Sequence, residues 1–303
     1  MPKWEYVMTD PLLAFASLSR RAAVLAGTML LLSAGFASVS AQSAALKING
    51  STTVNLPVAE AAEILRAEKG LQIQVDTQGG SSGGISMLGD GQVQLGMASK
   101  HLSATDRMKF PKVAFKEIHI GEDAVAMIVS KDVWDGGVRA LTKAQLRDIY
   151  EGKITNWKAV GGPTQRVVFF NKEPGRGTWE VFAHWLYGDA KKAPSVSFPE
   201  VGGNEETRNK VASTRGAMSQ LSSSWADGKK VFALGLKTEA GDVVNSTPEN
   251  IATQKYPMSR PLFLLANGEP QGAAKVFVDF ILGARGQELV RKHGYLSLDQ
   301  LKR

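Results

Sequence analysis

From Leu46 onward the sequence switches repeatedly between an apolar period of two and one of three to four, and this alternation restricts its fold more than any other feature. LKING reads as a short strand. PVAEAAEILRAEKG reads as a helix with Val58, Ala61, Ala62 and Leu65 on one face, Pro57 suited to its first turn and Gly70 to its C-cap. LQIQVDTQ alternates Leu71, Ile73 and Val75 with polar neighbours, GGISMLGDG is a short Gly-bounded helix, and VQLGMAS returns to a strand. Further on, DAVAMIVS and RVVFFNK read as strands. LTKAQLRDIYEGK reads as a helix with Thr142 and Gln145 placed as a capping box, and TWEVFAHWLYG as an amphipathic helix. GAAKVFVDFILGARGQELVRKHGY closes the chain as one or two helices. Successive β-α-β units of this kind predict an α/β architecture with two sheets. With no internal repeat or long linker between its parts, the domains are expected to be joined by crossing strands.

The first 45 residues follow a different logic. Arg20 and Arg21 precede an uncharged apolar run from Ala22 to Phe36, and small residues follow in ASVSAQSAA. That is the layout of a secretory signal peptide, with cleavage fitting near Ala41 or Ala44. The apolar run falls short of the ~20 residues needed to span a bilayer, so export with cleavage is expected rather than anchoring. The chain has no Cys, which excludes a disulfide framework, a thiolate nucleophile, Cys-ligated zinc and lipid attachment at the mature end. Its formal charge of +7 favours anionic partners but is spread without a dense basic block. No nucleic-acid partner is expected.

Three loops carry the residues suited to anion chemistry, each where a strand feeds a helix. In NGSTTVNLP, Gly50 permits a tight turn while the Ser51, Thr52 and Thr53 hydroxyls and nearby N–H groups are free to face an anion. In QGGSSGGI, four glycines allow close backbone approach, and Ser81 and Ser82 supply donors at a helix start. In NKEPGRGTWEVF, Lys172 and Arg176 bring charge, and Gly177 and Thr178 open the next helix. If the three converge, neutral dipoles and one or two cations would hold a compact tetrahedral oxyanion. There is no GxxxxGK[ST] loop and no G-x-G-x-x-G fingerprint in a βαβ setting, which argues against a nucleotide.

GSTTV, QGGSSGGI, ALTKAQLRDIYEGKITNWKAVGG, the K-E-P-G-R-G-T loop, YPMSRPLF and the closing GQELVRKHGY resemble, in order and over nearly all of the chain after the apolar leader, the periplasmic phosphate-binding proteins of ABC phosphate importers. The resemblance implies a two-domain periplasmic-binding-protein clamp with two crossing hinge strands and the ligand in the cleft. The first domain would comprise residues 46–127 and 258–303, and the second residues 128–257. It also implies capture of inorganic phosphate, delivery to the membrane subunits of an ABC importer, a periplasmic location and no cofactor; a monomer is the default. Thr52, Thr53, Ser81, Gly177 and Thr178 match the family's phosphate-contacting positions. Two positions depart from the family pattern. The usual Arg and contacting Ser of the third loop are Lys172 and Arg176 here, and Lys100 occupies a position where some members carry an Asp. Asp123 is the candidate replacement acceptor, able to take a hydrogen bond from a phosphate hydroxyl and disfavour sulfate. Lys100 is expected to face solvent.

Other features read as structural. His101, His119, His184 and His293 have no ligand spacing, so no metal site is expected. Trp179, Phe182, Trp185, Leu186 and Tyr187 read as a helix face packed on a sheet, Lys229 and Lys230 as a solvated turn, and Arg260 as either an ion partner or a cleft residue. A binder of another oxyanion (sulfate, molybdate or a phosphonate) shares most of these features. An exported hydrolase fits less well, since no G-x-S-x-G elbow is present.

Overall fold

The computed structural model describes residues 45–302, so the signal-peptide expectation and its cleavage sites lie outside the described residues. The alternating periods form the elements they predict. In chain order these are β1 (Leu46–Gly50), α1 (Asn55–Lys69), β2 (Ile73–Asp76), α2 (Gly80–Gly89), β3 (Leu95–Ala98) and α3 (Ala104–Lys109). Then come β4 (Phe115–Ser130), α4 (Lys131–Asp135), β5 (Ala140–Thr142), α5 (Lys143–Tyr150), β6 (Val168–Lys172) and α6 (Gly177–Tyr187). The later chain adds β7 (Glu200–Val201), α7 (Asn204–Ser213), β8 (Ala217–Ser222), β9 (Val231–Ala233), β10 (Gly235–Lys237) and β11 (Val243–Val244). It closes with α8 (Pro248–Ala252), β12 (Ser259–Asn267), α9 (Gly272–Leu282) and α10 (Ala284–Lys292). Among the described residues no helix is long and apolar enough to cross a membrane.

Local signals work as the sequence dictates. Gly70 caps α1 in the left-handed region at φ 64°, and its N–H returns to the Arg66 carbonyl. Thr142 and Gln145 close a reciprocal capping box at the start of α5. Asp227 Oδ1 accepts from the backbone N–H groups of Lys229, Lys230 and Val231, making the solvated turn expected there. Two elements are longer than read. The strand placed at residues 123–130 begins at Phe115 and runs for 16 residues. α2 begins at Gly80, inside the segment read as a loop. Glycine is a poor helix former, but Gly84 sits where a Cβ would come within 3 Å of the Asn49 and Met97 carbonyl oxygens and Gly50 Cα, so this helix packs directly on the β1 and β3 backbones.

The main sheet is mixed. β2, β1 and β3 are parallel; β12 and β4 follow as antiparallel neighbours; β8 is antiparallel to β4, and β6 and β7 run parallel to β8. A smaller sheet joins β5, β10 and β11. β4 is shared. Residues up to Ala124 pair with β12, and residues from Val125 pair with β8 and β9. Buried apolar groups divide at the same place. One cluster takes Leu46 to Ile120 and Leu262 to Tyr295, and another takes Ala124 to Met258 with Leu296. Of the aromatic stripe on α6, Phe182 and Leu186 are fully buried, whereas Trp179 lines a broad groove and donates to the Tyr150 hydroxyl.

Candidate functional site

Four helices begin around one small polar pocket. Ser51, Thr52 and Thr53 reach it from the β1–α1 turn, Gly80 and Ser81 from the start of α2, Gly177 and Thr178 from the start of α6, and Gly202 and Asn204 from the start of α7. Ser99, Lys172 and Arg176 complete the lining. α1, α2, α6 and α7 all start without a side-chain cap, as do α4, α9 and α10 elsewhere, while α3, α5 and α8 are capped by Ser103, Thr142 and Thr247. Each helix start carries backbone N–H groups without intrahelical partners and the positive end of a macrodipole, which together favour an anion. The pocket also lies beyond the carboxyl ends of β1, β3 and β6, the usual ligand position in α/β sheets. Gly177 must lack a side chain here, because a Cβ would stand 2.7 Å from Ser81 Oγ and 2.8 Å from Ser99 Oγ.

The charged residues are arranged in layers. Arg260, 1% exposed, stands behind the pocket opposite Asp123, its register partner across β12 and β4. All five of its N–H donors are used. Nε (3.1 Å) and Nη2 (2.8 Å) donate to Asp123 Oδ2, Nη2 donates to Thr53 Oγ1 (3.1 Å), and Nη1 donates to Thr178 Oγ1 (3.0 Å) and Ser99 Oγ (3.2 Å). Lys172, also 1% exposed, donates to the carbonyl oxygens of Gly202 (2.8 Å) and Gly203 (3.0 Å) and to Asn204 Oδ1 (3.4 Å). Among the described residues it has no carboxylate at salt-bridge distance. Burial pushes its ammonium pKa well below the ordinary lysine value, and the nearby Arg176 and Arg260 charges add to the effect. The Arg176 fork is held by Glu173 Oε2 through Nε (2.9 Å) and Nη2 (2.7 Å).

Seven of the nine residues singled out from the sequence line this pocket: Thr52, Thr53, Ser81, Lys172, Arg176, Gly177 and Thr178. Ser82 and Asp123 do not. Ser82 turns towards Glu180 (3.4 Å) in the neighbouring groove, since its place one residue further along α2 carries it off the pocket-facing side. Asp123 is closed off by Arg260 and by Ser223 Oγ (3.2 Å), so its carboxylate is a buried counter-ion rather than a group facing the pocket. Lys100 is a further correction. It is 6% exposed and bonds Asp106 Oδ2 (3.0 Å) and Glu180 Oε2 (2.7 Å), because two carboxylates converge on it from α3 and α6. Sequence reasoning passed over Ser99, Gly202 and Asn204. Val-Gly-Gly-Asn ahead of the Glu-rich start of α7 has the same turn-then-helix form as the other loops and was the available signal. Among the described residues no histidine lines the pocket.

Residues 37–285 match the PBP superfamily domain. The phosphate-binding protein PstS of Bacillus subtilis is 28% identical over 262 residues, covering 86% of this chain and 83% of the relative. A Clostridium perfringens substrate-binding protein, assigned to a phosphate ABC transporter and solved with bound phosphate, superimposes with a TM-score of 0.73 at 30% identity, over 84% of this chain and 99% of that one. An ABC-type phosphate transport receptor from Vibrio cholerae gives a TM-score of 0.64 at 26% identity, over 83% and 99%. By its sequence match and by a fold shared along almost the full length of these structures, the chain belongs to the PBP superfamily.

Proposed function

We propose that this protein captures inorganic phosphate in the pocket among the starts of α1, α2, α6 and α7 and delivers it to the membrane subunits of an ABC importer. One observation carries the reading: four helix starts, a ring of hydroxyls and a buried lysine with no carboxylate partner among the described residues converge on one small pocket. The phosphate named for the B. subtilis and C. perfringens relatives fits that chemistry. The protein acts by binding and release rather than by catalysis, as a periplasmic monomer freed from its signal peptide.

The pocket lies between two lobes, residues 46–127 with 258–303 and residues 128–257, hinged where β4 and β12 pass from one to the other. The division of the buried clusters near residues 121–124 and 258–262 supports this partition. So do the few bonds that span it, among them Asn204 Nδ2 to Thr53 Oγ1 (3.0 Å), Arg260 to Thr178, Lys100 to Glu180 and Ser82 N to the Gly175 carbonyl (3.1 Å). Thr52, Thr53, Ser81, Lys172, Arg176, Gly177 and Thr178 are the proposed ligand residues. Calorimetric titration of the mature chain with phosphate, sulfate, arsenate and molybdate tests the reading. One-site binding of phosphate with compaction in solution scattering is expected, and absence of heat with phosphate would reject it.

A further inference from the structure

We infer that Arg260 is a specificity-determining positioning residue: by occupying the lone pairs of the pocket hydroxyls it fixes them as donors, so that phosphate is taken as its dianion. This rests on the phosphate reading above and deepens it. A hydroxyl has one O–H and two acceptor sites, while arginine donates only. Thr53 Oγ1 accepts from Arg260 Nη2 (3.1 Å) and from Asn204 Nδ2 (3.0 Å), and the Asn204 amide is oriented by Lys172 Nζ on its Oδ1. Both acceptor sites of Thr53 are filled, and its O–H is left for the pocket.

The same count runs along the serines. Ser51 Oγ accepts from the N–H groups of Thr53 (3.2 Å) and Val54 (3.4 Å) and therefore donates to Ser99 Oγ (2.9 Å). Ser99 Oγ, filled by Ser51 and by Arg260 Nη1, passes its own proton to Ser81 Oγ (3.4 Å). Ser81 Oγ also accepts from the Ser99 N–H (3.1 Å), which leaves the Ser81 O–H for the pocket. Thr178 accepts from Arg260 as well and is biased the same way, with one acceptor site remaining. Helix N–H groups supply further donors, and among the described residues no carboxylate lines the pocket. The phosphate dianion still carries one O–H, which the single remaining acceptor site of Thr178 can take, whereas the second O–H of the monoanion meets donors where it needs an acceptor and costs affinity.

The test measures affinities for phosphate and sulfate at pH 6 and pH 8 by calorimetry on the mature chain. Sulfate stays a dianion throughout, so the ratio of the two affinities cancels any titration of the protein. For the wild type this ratio is expected to rise roughly tenfold from pH 6 to pH 8, following the dianion fraction of phosphate. The paired apolar replacement Asp123→Leu/Arg260→Met, which leaves no buried charge unpaired, frees the hydroxyls and flattens the rise to within about twofold. Ser99→Ala keeps the Arg260–Asp123 pair and cuts only the relay to Ser81, so it gives an intermediate rise and serves if the paired variant fails to fold. A flat or falling ratio in the wild type would overturn the inference, because a second acceptor would then face the ligand. So would a rise of wild-type size in both variants. Binding of sulfate with no heat from phosphate at either pH would instead sink the phosphate reading while leaving a donor-lined pocket.

Discussion

Replacing Lys172 with Met should move ligand affinity and ligand-free stability in opposite directions. Lys172 lies 1% exposed against the Gly202 and Gly203 carbonyls with two arginines nearby, and its charged form is disfavoured in the empty pocket. Methionine fills similar space without charge, so the ligand-free variant should melt at an equal or higher temperature. Loss of a charged partner costs the bound anion about 1.5–3 kcal/mol, hence roughly ten- to hundredfold in Kd. The pH dependence has a definite sign. A bound anion raises the Lys172 pKa back towards its ordinary range, so binding takes up a proton whenever the empty pocket holds the neutral amine. Wild-type affinity should therefore fall as pH climbs through the ligand-free pKa and level off above the bound one. Between about pH 8 and pH 10, where phosphate remains a dianion, Lys172→Met should show no such fall. Because the folded-state pKa is depressed, the unfolded chain binds more protons in the window below ordinary lysine values, and wild-type ligand-free stability rises with pH there. Calorimetry and thermal melts in phosphate-free buffer read both effects. A lower ligand-free melting temperature with Kd unchanged within twofold would refute the reasoning and leave Lys172 as a clamp on two carbonyls.

Arg176→Ala should weaken phosphate by roughly tenfold with little change in melting temperature, since its fork is held by the partly exposed Glu173. Lys100→Ala should do the reverse, removing roughly 2–4 kcal/mol of stability by stranding Asp106 and Glu180, as a denaturant midpoint would report. Gly84→Ala forces a Cβ onto the β1 and β3 backbones and should cost about 1–3 kcal/mol, a melting shift of several degrees. Thr142→Ala removes the α5 capping box at about 1 kcal/mol and should leave phosphate affinity untouched.

What the sequence revealed was mostly local. The apolar stripe of α1, the Gly70 cap and the Thr142–Gln145 box depend on neighbours within a few residues, and each formed where the pattern placed it. The same holds for the loops at Ser51–Thr53 and Gly177–Thr178, whose turn-then-helix form is written in consecutive residues. The roles of Asp123, Lys100 and Arg260 were hidden because they depend on pairings between distant segments. Only the β4–β12 register sets Asp123 against Arg260, 137 residues apart in sequence, and only the approach of α3 and α6 makes Lys100 a buried bridge. The glycines of α2 hid a helix start because their use is a close approach to backbone that belongs to other strands.

The path of β12 bears on how such a chain folds as it is made. β1, β2 and β3 are complete by Ala98, yet the strand that covers the open side of β3 is Ser259–Asn267, and that same strand is the neighbour of the first half of β4. A chain emerging from its N-terminal end therefore carries an unfinished three-stranded edge until most of its length has appeared. Closing that gap spans more than a hundred residues and makes it a late, high-contact-order event. Until Ser259–Asn267 has appeared, the open side of β3 has no neighbour and the first half of β4 lacks its strand partner, so this part of the sheet can only be completed after the C-terminal segment is made.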